Sequence, residues 1–157
     1  MTRALLASLV LSLALACSHS GAPPSLGDSL SVEQAGGNAT ELVATGTQLP
    51  TSATESFTTS RDGETRLYVH VLRGAARKAG SLTNDGWWSI DGVASAPAGQ
   101  AQVFVTFELD AKADLTLSAR QEAVKLRVAK LVKPPENGKP APLTEPDDDD
   151  DAPDDGE

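Results

Sequence analysis

The sequence predicts an all-β protein, an antiparallel β-sandwich, on three observations. Between residues 26 and 128, at least six short runs alternate apolar and polar residues with period two. One of them is especially regular. In Val103-Phe104-Val105-Thr106-Phe107-Glu108-Leu109-Asp110, one face carries Val103, Val105, Phe107 and Leu109, and the other Phe104, Thr106, Glu108 and Asp110. The third observation is the punctuation, in which glycine, proline and Asp-Gly turns separate the runs. No helix longer than a turn or two is expected.

The segment from Leu26 to Leu49 reads as two strands. Leu30 and Val32 alternate, Gly36-Gly37-Asn38 makes the loop, and Leu42, Val43 and Ala44 return. Arg61-Asp62-Gly63-Glu64 is a hairpin turn. Leu67, Val69 and Val71 then share one face, with Tyr68, His70 and Leu72 on the other. Trp87 and Trp88 are strand neighbours and must face opposite ways. Trp88 is assigned to the core, while Trp87 is either a contact surface or simple rim packing. Asp91 to Gln100 is rich in turns and leads into the run at Val103. Asp110 to Asp114 is short and polar, and Leu115, Leu117 and Ala119 alternate with Thr116, Ser118 and Arg120. These two runs form an antiparallel hairpin. Val124, Leu126 and Val128 supply the last strand.

An ordered series of these segments resembles the substrate-binding β-domain of the DnaK-type, or Hsp70, chaperones. Ser29-Leu30-Ser31-Val32-Glu33-Gln34-Ala35-Gly36-Gly37 lies along the family's first hairpin. Gln48-Leu49-Pro50-Thr51 is similar to its isoleucine-proline-threonine turn, and Phe57-Thr58-Thr59-Ser60 to its phenylalanine-serine-threonine-alanine strand. Leu67 to Gly74, Gly86 to Val93, Ala96-Pro97-Ala98-Gly99, Gln102 to Asp110 and Leu117-Ser118-Ala119 continue the series. The resemblance runs from about residue 25 to 128, nearly without gaps until Ala119.

The two ends of the chain differ from this middle. Arg3 precedes an uncharged apolar run, Ala4 to Ala16. That run suits a signal segment and is shorter than the ~20 residues of a spanning helix. It ends Leu13-Ala14-Leu15-Ala16-Cys17, which resembles a bacterial lipobox. Residues 1–16 are therefore expected to be a lipoprotein signal peptide, with Cys17 lipidated by acyl chains such as palmitate. The alternative is an ordinary cleaved signal with an incidental cysteine. Ser18 after Cys17 resembles an outer-membrane address. The expected location is the bacterial cell envelope, lipid-anchored, facing the periplasm or the surface. Residues 17–24 read as a tether. Residues 25–133 form the sandwich, and Lys133-Pro134-Pro135 is expected to stop it. Residues 134–157 read as a disordered acidic tail that includes Asp147 to Asp151.

Charge partitions the same way. The chain's net charge of -9 belongs to that tail, because residues 1–133 hold equal numbers of acids and bases. Nothing basic or aromatic-rich invites nucleic acid. The single cysteine, Cys17, excludes an intrachain disulfide and a cysteine-rich zinc site. The tail carboxylates have no spacing that fixes a metal, so no metal or other cofactor is expected. Gly36-Gly37 is no phosphate loop, since no lysine or helix accompanies it. His19 lies in the tether and His70 reads as a structural strand residue. No nucleophile-base arrangement stands out, and no enzyme is expected.

What remains is the peptide cleft that the resemblance implies. By position, its pocket wall corresponds to Val32, Gln34, Phe57, Leu67, Val69 and Val103, all but Gln34 apolar. The two arch positions, often methionine and alanine in the family, are Ala35 and Ser60. The clamp is thus smaller and more polar, and Leu67 in place of a typical valine makes the pocket shallower. The stretch before the resembling region is expected to hold no nucleotide-binding domain, and the acidic stretch after it no helical lid. The expected function is a membrane-tethered, ATP-independent module that binds extended or unfolded polypeptide segments. The alternative is a structural envelope lipoprotein that keeps the sandwich and has lost the cleft. An acid in place of Leu67 is expected to abolish binding and spare the fold.

Overall fold

A computed structural model describes residues 21–144. The signal segment, Cys17 and its lipidation, Ser18, His19 and the acidic run at Asp147–Asp151 lie outside the described residues.

The architecture is the expected one, two antiparallel sheets face to face. The strands are β1 (Leu30–Glu33), β2 (Ala39–Val43), β3 (Thr51–Phe57), β4 (Arg66–Arg73), β5 (Thr83–Asp91), β6 (Val103–Leu109), β7 (Leu115–Gln121), β8 (Val124–Lys125) and β9 (Arg127–Leu131). One sheet runs β2-β1-β4-β5-β9 and the other β3-β6-β7-β8. Among the described residues the helical element is a single 3₁₀ turn, Ala79–Ser81.

The alternation read from the sequence becomes the core. Val103, Val105, Phe107 and Leu109 are each 0–1% exposed, while Glu108 on the opposite face is open to solvent. Leu67, Val69 and Val71 of β4 and Ile90 of β5 close the layer from the other sheet, also at 0–1%. Period-two patterning works here because each sheet buries one face and wets the other. Trp88 faces the core, and Trp87 sits on the outer face with its ring stacked on His70, centroids 4.1 Å apart. The Trp87 contact is thus made within the sheet. The expected β6–β7 hairpin is present, with Leu109 paired to Leu115 and Phe107 to Leu117.

Two expectations fail. The last strand is two strands in different sheets: β8 pairs β7, and β9 pairs β5. The chain crosses between layers at Leu126, which is buried at 6% and donates its amide to Ala119 O at 2.9 Å. Val124, before the crossing, is 63% exposed. An alternating triplet cannot reveal that its members leave one sheet for the other.

The second failure is the end of the domain. Lys133-Pro134-Pro135 does not stop it, and residues 134–144 do not lie free of it. Ala141 is 3% exposed within the core cluster, Leu143 packs against that cluster, and Leu143 bridges Phe57. Ala141 and Leu143 turn inward on a period of two, around an isolated antiparallel bridge between Leu143 and Phe57. Pro140 precedes the pair and Pro142 stands between its members, and neither proline has an N–H to donate. The polarity of the tail as a whole conceals these five residues.

Candidate functional site: a groove between two strand edges

The site follows from two unpaired backbone edges. In its sheet β3 has a neighbour on one side, β6. In the other sheet β1 pairs β4 through Val71, Leu72 and Arg73, leaving the Leu67–Val69 stretch of β4 with β5 alone. An unpaired edge presents N–H and C=O groups that accept another strand. Here the accepted strand is the chain's own Pro140–Thr144.

Three backbone hydrogen bonds hold it. Ala141 N donates to Tyr68 O at 2.8 Å on the β4 side. Thr58 N donates to Pro142 O at 3.0 Å, and Thr144 N to Ser56 O at 2.8 Å, on the β3 side. Even-numbered residues therefore turn their backbone to β3, and Ala141 turns its own to β4. The Ser56 and Thr144 hydroxyls add a contact at 3.2 Å. The side chains of Ala141 and Leu143 fall on the same, inward face.

Two loops flank the groove. The loop after β1, carrying Gln34 and Ala35, is tied to the segment before the 3₁₀ turn. Ala39 N donates to Arg77 O at 2.9 Å, Ala79 N to Gly37 O at 3.1 Å, and Lys78 Nζ to Asn38 Oδ1 at 2.9 Å. The loop after β3, carrying Ser60, is braced by Ala96-Pro97-Ala98-Gly99. Gly63 N donates to Ala96 O, Ala98 N to Asp62 Oδ1 and Gly99 N to Thr59 O, at 2.8–2.9 Å. Between the second loop and residues 135–139 lies a polar cavity of about 620 Å³, bordered by Arg61, Glu64, Arg66, Tyr68 and Lys139. Arg66 at this rim is held above its ordinary pKa, first by its hydrogen bond to Asp91 and then by Tyr68.

The expected site residues divide in two. Val32, Phe57, Leu67, Val69 and Val103 come together, at 0–1% exposure, inside the continuous core. They form no open wall in this structure. Gln34 is half-buried, its amide bonded to Thr40 Oγ1, while Ala35 and Ser60 are exposed on separate loops. Ser60 N donates to Glu64 Oε2 at 2.9 Å. Replacing Leu67 by an acid would place a charge in the core, so that change would test the fold and not binding. The residues that do contact an extended segment are Ser56, Thr58 and Tyr68, through their main chains. Main-chain contacts carry no side-chain signature. The available signal was Leu143, an aliphatic residue two positions from Ala141 in an otherwise acidic, proline-rich stretch.

His70 reads as expected. Its ring nitrogens meet Glu33 Oε2 and Asn84 Oδ1 on the outer face, and its plane rests on Trp87. Among the described residues, no group of three His, Cys, Asp or Glu side chains is placed to hold a metal ion. The arrangement can hold an extended chain by its backbone.

Residues 26–144 match the family described as Hsp70 protein. The chain belongs to the Hsp70 family. It is also 37% identical over 94 residues to the chaperone protein DnaK of Prochlorococcus marinus (strain MIT 9515), an alignment covering 60% of this chain and 15% of that one. The matched span closes at Thr144, the residue whose amide bonds to Ser56. This Hsp70-family domain therefore includes the strand at 140–144.

Proposed function

We propose that this Hsp70-family domain binds extended polypeptide segments by strand addition, without nucleotide. The observation that carries the reading is the groove between β3 and β4, where Thr58 N–H and the Ser56 and Tyr68 carbonyls hold an extended chain. Main-chain recognition of this kind tolerates many sequences, and inward side chains add preference for small and aliphatic residues. Membership of the chaperone family points the same way, and the similarity to DnaK suggests a chaperone-like use. Burying one leucine-sized side chain contributes roughly 1.5–3 kcal/mol, and ordering the ligand consumes part of it. Affinity is then in the micromolar range or weaker, on the order of −8 kcal/mol at most.

In the same reading, Cys17 carries lipid and tethers the domain to a bacterial envelope membrane, with residues 18–24 as spacer. The lipobox-like run ending at Ala16 supports this. Intact-mass analysis of membrane-extracted protein checks it, and an unmodified thiol at Cys17 refutes it.

A second reading is a structural envelope lipoprotein with a closed cleft. It is favoured by the 0–1% exposure of Val32, Phe57, Leu67, Val69 and Val103. Titration of the full chain with a fluorescent peptide library, with no nucleotide present, separates the two. Saturable binding by aliphatic peptides supports the binding module. Absence of binding at millimolar concentration leaves the scaffold.

A further inference from the structure

We infer that Pro140–Thr144 is an internal ligand of the β3–β4 groove, displaceable by an external extended segment. This inference rests on the polypeptide-binding reading and adds its regulation. The segment lies antiparallel to β3, with Leu143 opposite Phe57, so Pro142 stands opposite Thr58 and Thr144 opposite Ser56. In such a ladder, the residue opposite Thr58 exchanges two bonds with it. Thr58 N–H reaches Pro142 O, but proline has no N–H to return to the Thr58 carbonyl. The internal strand is one bond short at its centre. A foreign strand with any other residue at that position makes the missing bond.

The side chains agree. The inward residue at the buried position is Ala141, which takes up little of the apolar contact that a groove beside Phe57 offers. Thr58 Oγ1 and Thr59 Oγ1, both buried at the same rim, have no hydrogen-bond partner. The occupant fills the groove without satisfying it. A permanent part of the sandwich would gain from a donor at 142, whereas a placeholder has reason to lack one. The fully buried state of the five expected wall residues then describes the occupied groove, and displacement of Pro140–Thr144 is what opens it.

The test uses the full chain and a labelled heptapeptide, Lys-Pro-Ala-Pro-Leu-Thr-Glu, which copies residues 139–145. Ala141→Asp puts a charge on the internal strand and leaves every groove residue unchanged. It is expected to bind the peptide about tenfold or more tightly than wild type, because the competent state is no longer taxed by the docked segment. Pro142→Ala restores the missing donor and is expected to weaken peptide binding relative to wild type. Equal affinities for wild type and both variants, or no binding by folded Ala141→Asp, overturn the inference. If Ala141→Asp does not fold, the wild-type chain decides by NMR. Millimolar peptide is expected to shift the Leu143 methyl and Thr58 amide resonances, and unmoved resonances refute displacement. An aliphatic heptapeptide of unrelated sequence runs alongside. Binding of the copied peptide alone keeps the internal ligand and removes the general polypeptide-binding function. Binding of the unrelated peptide equally by wild type and Ala141→Asp does the reverse.

Discussion

The rings of Phe57 and Phe107 meet with centroids 6.3 Å apart and planes tilted by 47°, one at the end of β3 and the other in the middle of β6. Both are at most 1% exposed. Tilted aromatic pairs of this kind add to the burial of each ring. Phe107→Ala is therefore expected to destabilise the domain by about 3–5 kcal/mol. Urea unfolding followed by circular dichroism checks it, and a shift below about 1 kcal/mol would show that the interior collapses around the gap.

Gly74 ends β4 with φ of +111°, and a Cβ there would come within 2.9 Å of Leu82 Cδ2. Its amide donates to Ser29 O at 2.8 Å, and its carbonyl accepts from Ser31 Oγ at 2.7 Å, which leaves the backbone little room to adjust. Gly74→Ala is expected to cost about 1–3 kcal/mol through the left-handed conformation and the crowding together. The same change at Gly80, which has open space around it, is the control. Similar unfolding midpoints for the two variants would count against this account.

His70 joins β4 to its surroundings through Glu33, Asn84 and the face of Trp87. His70→Ala is expected to lose about 1–2 kcal/mol, combining the stacked pair with a net hydrogen bond. It is also expected to change the tryptophan fluorescence, since Trp87 loses its covering ring. Unchanged emission would mean that the stack does not persist in solution.

These predictions show where sequence pattern carries structural information. Val103 to Leu109 could be oriented from residues alone because a two-sided sheet separates its faces chemically. The β6–β7 hairpin followed from two alternating runs across the short Asp110–Asp114 connection. The crossing at Leu126 was hidden, since the change of sheet depends on what the chain packs against. The groove was hidden for a different reason. Ser56, Thr58 and Tyr68 act through peptide groups that every residue possesses, so only the strand order exposes them. The resemblance to the chaperone family named side chains, Phe57 and Val69 among them, that the structure places in the buried core.

The end of the domain gives the sharpest separation between composition and structure. Residues 134–157 as a whole are acidic and proline-rich, but Ala141 and the three backbone bonds belong to the uncharged segment Pro140–Thr144. Each bond contributes a net of about 0.5–1.5 kcal/mol. The roughly tenfold competition inferred for an external ligand corresponds to a net docking free energy of about 1.4 kcal/mol. Removing residues 145–157 should therefore leave the melting temperature unchanged. Removing residues 134–157 should lower it by on the order of 5 °C. A far larger loss would make the strand a permanent wall of the sandwich and not an exchangeable occupant. Identical melting temperatures for the two truncations would show that it contributes nothing to the folded state in solution.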